Sequence, residues 1–94
     1  MSIVIIGGNE RMVYQYTDIC KDYGYKAKVF PKENGAIRKK IGCPDLMVLF
    51  TNTVSHKMVQ GAVKAAKKNS IPIARVQSSS ISALRALLGQ RGMA

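Results

Sequence analysis

The chain of 94 residues has no tryptophan, one histidine, two cysteines and only five acidic residues, and each scarcity closes off a class of function. Without CxxC spacing or a histidine beside either cysteine, it lacks the donor set of a structural metal site. No Ser-His-acid order and no paired carboxylates stand out, so hydrolytic catalysis is the least supported class of activity. The longest uninterrupted apolar stretch is Leu46-Met47-Val48-Leu49-Phe50, far short of a bilayer span. The N-terminus carries neither a basic flank nor a small-residue cleavage site, and a cytoplasmic location without a membrane partner is expected. In that compartment Cys20, on the apolar side of a helical stretch, and Cys43, before Pro44, are expected as free thiols.

Acid is scarce, but base is not. Fifteen Lys and Arg residues give a formal charge of +10, unevenly spread: residues 1–36 carry a net +1 and residues 37–94 a net +9. That asymmetry points to an anionic partner, against the plain alternative that Lys64, Lys67 and Lys68 merely solubilise a helix face. Nearly half of the residues are apolar, and the length suits one folded domain over 1–94.

The apolar residues fall into a repeated order of strand, polar loop and helix. Ile3 to Ile6 is continuously apolar, as in a strand buried on both faces, and runs into Gly7-Gly8. From Glu10, the spacing of Met12, Val13, Tyr16, Ile19, Cys20 and Tyr23 predicts a helix, which Gly24 ends. Lys26 to Phe30 alternates like a half-exposed edge strand. Pro31 closes it, and Asn34-Gly35 opens a short basic helix anchored by Ile37 and Ile41, with Arg38, Lys39 and Lys40 outward. Leu46 to Phe50 is the second buried strand. A helix follows, capped by Thr53 or Ser55, with Met58, Val59, Ala62, Val63 and Ala66 inward and Asn69-Ser70 at its end. Ile71 to Val76 is the last strand, and Ser79 or Ser80 caps a final helix with Ile81, Leu84, Leu87 and Leu88 inward. Gly89 is expected to stop that helix and residues 90–94 to fray. Alternating strands and helices imply a three-layer α/β sandwich, its four-stranded parallel sheet in the order 2-1-3-4 with helices on both faces.

In such a sheet three polar loops leave the same edge. Gly7, Gly8 and Asn9 would let backbone amides approach an anion, with Arg11 as a clamp, although the third glycine of a dinucleotide fingerprint and the Gly-Lys-Ser/Thr of a P-loop are missing. Thr51, Asn52, Thr53, Ser55 and His56 offer more hydrogen-bonding ends than one helix cap needs. Arg75 with Ser78, Ser79 and Ser80 supplies the third cluster. His56 has no visible carboxylate to orient it and reads as a hydrogen bonder, not a general base.

Ile3-Val4-Ile5-Ile6-Gly7-Gly8 with Arg11, Asp45-Leu46 through His56, and Ile71-Pro72-Ile73 with the serine cluster together resemble the small bacterial family catalogued as domain of unknown function 2325. The resemblance covers nearly the whole chain and implies a Rossmann-like fold; it implies no activity. The family pattern places His where this chain has Asn9 and Gln77, so a haem or metal role resting on those positions would retain only His56 here.

The expectation that follows is a non-enzymatic binding module for a nucleotide-like or other phosphorylated anion at the strand tips, its cofactor unknown. An alternative is electrostatic nucleic-acid binding through Arg38, Lys39, Lys40, Lys64, Lys67 and Lys68, with Tyr14 and Tyr25 as the exposed stacking candidates. A haem protein ligated by His56 is a further alternative. The two open edges of a four-stranded sheet leave room for a second copy in a homodimer.

Overall fold

The computed structural model describes residues 2–30, 42, 44–78 and 80–92. Its strands are β1 (Ser2–Ile6), β2 (Lys26–Phe30), β3 (Leu46–Phe50) and β4 (Ile73–Val76). All pair in parallel, in the expected order β2-β1-β3-β4. Its helices are α1 (Val13–Asp22), α2 (His56–Lys68) and α3 (Ile81–Gly92), with a 3-10 turn at Glu10–Met12. None of them is long and apolar enough to cross a membrane among the described residues.

The continuous apolar runs work because β1 and β3 are covered on both sides. Ile3, Ile5, Val48 and Phe50 face Tyr16, Ile19 and Cys20 of α1 and Leu84 and Leu88 of α3. Val4, Ile6, Met47 and Leu49 face Met58, Ala62, Ala65 and Ala66 of α2. Each large side chain taken fully out of water in these layers contributes about 1.5–3 kcal/mol. The edge strand β2 alternates as its sequence implies, with Lys26 and Lys28 exposed and Ala27 and Val29 half-buried. At the opposite edge from the loops, Ser2 and Asp45 tie β1 to β3. The Ser2 amide donates to Asp45 Oδ2 at 2.7 Å, and the Asp45 amide donates to the Ser2 carbonyl at 2.8 Å.

Several local expectations need correction. The first helical turn after Asn9 is 3-10, because the Asn9 side chain accepts the Arg11 amide and tightens the start. Tyr25 is buried: it follows the end of α1 directly and its ring joins the core. Tyr23, expected inward, is exposed. β4 starts at Ile73, and Pro72 stays outside the strand while its carbonyl accepts the Met47 amide at 2.9 Å. Gly89 does not stop α3, which continues through Gly92. A mid-helix glycine costs only about 1 kcal/mol, and the neighbouring Leu88 is fully buried. The short basic helix, with Ile37, Arg38, Lys39, Lys40 and Ile41, lies outside the described residues, as do Cys43, Ser79 and positions 93–94 of the tail. Cys20 is a free thiol, and burial pushes it up to about 11, so it stays protonated near neutral pH.

Two helices end in the same way. After α1, Gly24 at φ +82° donates to the Lys21 carbonyl and Tyr25 to that of Cys20. After α2, Ser70 at φ +54° donates to the Lys67 carbonyl and Ile71 to that of Ala66. Both are Schellman closures, with the residue after the left-handed position buried as an apolar anchor. Glycine occupies that position without steric cost, whereas Ser70 carries a Cβ there. Ser70→Gly is therefore expected to raise stability by about 1 kcal/mol, seen as a higher urea midpoint with an unchanged slope.

Candidate functional site

Because every strand runs the same way, the loops after β1, β3 and β4 emerge on one rim, and so do the beginnings of the 3-10 turn, α2 and α3. Hydrogen bonds stitch this rim from edge to edge. The Gly7 amide donates to the Phe30 carbonyl of β2 at 2.9 Å, and the Thr51 amide to the Val76 carbonyl of β4 at 2.8 Å. Between them, at the switch point of the sheet, the Gly8 amide donates to Thr53 Oγ1 at 2.7 Å. The Thr53 hydroxyl in turn donates to the Phe50 carbonyl at 3.1 Å.

The glycine pair is needed for this closure. Both residues have positive φ, +94° and +92°, and both are overlaid tightly by side chains. A Cβ on Gly8 would lie 2.8 Å from a ring carbon of Tyr16 and 3.2 Å from one of Phe50, and a Cβ on Gly7 would lie 2.9 Å from Thr53 Oγ1. The expectation that the Gly7 and Gly8 amides face an anion is thus corrected. Each is already donated to a protein acceptor, and so are those of Asn9, to the Tyr16 hydroxyl at 3.2 Å, and Arg11, to Asn9 Oδ1 at 2.9 Å.

Tyr16 is the participant that sequence reasoning missed. Its spacing marks it only as a member of the α1 stripe, yet its ring packs on Phe50 with centroids 5.3 Å apart and its hydroxyl supports the loop above. The available signal is a tyrosine, not a phenylalanine, in a buried stripe about two turns from a glycine loop; a buried phenol requires a partner.

The side chains divide into closing and outward groups. Thr53 belongs to the closure. Ser55 Oγ caps α2 by accepting the Met58 amide at 3.2 Å, and Ser80 Oγ caps α3 by accepting the Ala83 amide at 3.2 Å. Ser78 Oγ accepts the Ser80 amide at 3.3 Å. An accepting hydroxyl still has its own hydrogen to donate, so capping leaves these three serines one donor each. The Thr51 hydroxyl lies 3.4 Å from the Val76 carbonyl. Arg11, Asn52 and His56 are exposed at the rim. Arg75 is also exposed, on the α2 side of β4, one residue before the strand ends. His56 Nε2 lies 3.0 Å from Gln60 Nε2. With the amide nitrogen donating, Nε2 accepts and the imidazole hydrogen sits on Nδ1. An amide is no proton relay, and among the described residues no three His, Cys, Asp or Glu side chains come together.

A family model described as an uncharacterized protein conserved in bacteria, DUF2325, matches residues 2–91. No curated protein matches the sequence. Among solved structures, a de novo designed Rossmann fold protein is similar at 13% identity and a TM-score of 0.67, over 98% of this chain and 97% of that one. The lactose-specific IIB component domain of the phosphoenolpyruvate:carbohydrate phosphotransferase system from Streptococcus pneumoniae is similar at 13% identity and a TM-score of 0.66, over 99% and 91%. At that identity the likeness is one of fold.

The closure makes a specific demand on Thr53. Thr53→Val keeps the shape but removes the acceptor of the Gly8 amide, and is expected to cost about 0.5–1.5 kcal/mol by urea unfolding. Thr53→Ser restores the oxygen and should stay within about 1 kcal/mol of the parent. Equal stability of the valine and serine variants would show that the bond carries no weight.

Proposed function

The chain belongs to the DUF2325 family, which comes without an activity, and from the rim itself we propose a non-enzymatic binding module for a phosphorylated, nucleotide-like anion. The observation that carries this reading is the convergence of three helical beginnings on one rim of a protein with net charge +10. Each helix start presents the positive end of its dipole, and an anion there is favoured by about 0.3–1 kcal/mol per helix. With the glycine amides committed to the fold, recognition passes to side chains. Arg11 is the clamp on the anion; Asn52, His56 and the hydroxyl hydrogens of Ser55, Ser78 and Ser80 orient it, and Arg75 adds positive charge on the α2 side.

The contact of His56 Nε2 with the Gln60 amide supports a hydrogen-bonding role for this imidazole in holding the anion. Equilibrium dialysis against nucleoside mono-, di- and triphosphates and the parent nucleosides tests the reading. Phosphorylated compounds are expected to be retained and nucleosides not, and Arg11→Ala should weaken retention about tenfold or more, the loss of one charge-assisted contact. Retention of nucleosides as strong as that of nucleotides, or of neither, would overturn it.

A further inference from the structure

Away from the rim, α2 presents a second and differently built surface. Its thirteen residues include no acid. Met58, Ala62, Ala65 and Ala66 are buried against the sheet, while His56, Lys57, Gln60, Lys64, Lys67 and Lys68 are all exposed. At 100° per residue these six fall within about one third of the helix circumference, so the outer face is lysine with a single glutamine and histidine. Lys64 stands three residues from Lys67 and four from Lys68, spacings at which like charges repel and cost about 0.2–0.5 kcal/mol each. A face that serves only solubility interleaves glutamates at these spacings and gains where this one loses. The sole acid in residues 37–94 is Asp45, which is occupied at the far edge of the sheet.

We propose that this lysine face of α2 binds the phosphate backbone of double-helical nucleic acid, independently of the rim. From Lys57 to Lys68 the helix rises about 16 Å, the axial length over which one strand of a duplex carries about five phosphates. A hollow of about 230 Å³ beside Lys64, Ala65, Lys68 and Asn69 leaves room for a phosphate next to this face. Duplex is favoured over single strands and over a bilayer for one reason. Among the described residues the exposed large apolar side chains are Tyr14 and Tyr23, and both belong to the α1 region on the opposite side of the sheet. The α2 face therefore has no aromatic platform for unstacked bases and no wedge for lipid. Binding is expected to be independent of sequence.

The test is fluorescence anisotropy of a labelled duplex of about 20 base pairs, titrated with the full chain at about 50–200 mM salt. The parent should bind with a log–log salt slope of about −2.7 or steeper, the value for three phosphates neutralised by Lys64, Lys67 and Lys68. Lys64→Ala, Lys67→Ala and Lys68→Ala combined should weaken binding at least tenfold at low salt and flatten the slope by about 2.7, with helicity retained by circular dichroism. The matched variant Lys21→Ala, Lys26→Ala, Lys28→Ala removes the same net charge from other surfaces and should bind as the parent does. Four results would each overturn the proposal: no duplex binding by the parent, equal losses in the two triple variants, tighter binding of the single strand than of the duplex, or retention on phosphatidylserine vesicles without retention of duplex. Nucleotide retention at the rim is read separately, so failure of either assignment leaves the other standing.

Discussion

The structure turns on one hydroxyl. Thr53 Oγ1 takes the amide of Gly8 and gives its hydrogen to the carbonyl of Phe50, joining the loops of the two central strands where the sheet changes winding direction. In an open parallel sheet the crevice at this point is where ligands usually enter. Here the Gly8–Thr53 bond joins the two loops at that point, and Tyr16 packs against Gly8. With these amides committed to the fold, the polar groups the rim offers a partner are those of its side chains.

This closure explains which parts of the molecule could be read in advance. Periodicity is a local property, and Ile3 to Ile6, Lys26 to Phe30 and Leu46 to Phe50 each declared a strand and its degree of cover within five residues or so. Strand order then followed from connection rules. The fate of the glycine amides could not be read this way, because the acceptor for Gly8 is forty-five residues away and that for Gly7 lies on another strand. The choice between Thr53 and Ser55 as the cap of α2 was undecided for a related reason: either hydroxyl would serve the helix, and only the packing of two loops assigns Ser55 to it and Thr53 to Gly8. The burial of Tyr25 is likewise not a local property, because it depends on the turn before it.

The sheet also separates the chemistry of its two sides. Aromatic residues gather with α1 and α3, where Tyr16 and Phe50 pack in the core and Tyr14 is exposed on the far surface of α1. On the other side α2 buries Met58, Ala62, Ala65 and Ala66 against the sheet and is lined outside by lysine. Small inward residues let α2 lie close to the sheet, and its long cationic side chains stand clear of the core.

The paired corners at Gly24 and Ser70 have a further consequence for how the chain tolerates change in length. Each converts a helix into the following strand through a fixed count of residues, with Tyr25 or Ile71 pinned as it leaves. Adding or deleting one residue between such a corner and its strand would slide the strand by a single step, and a single step exchanges its two faces. In β4 that slip would turn the guanidinium of Arg75 toward Phe50 and Leu84 and carry Ala74 out to the other layer. The corners thus act as the rulers that keep both cores in phase.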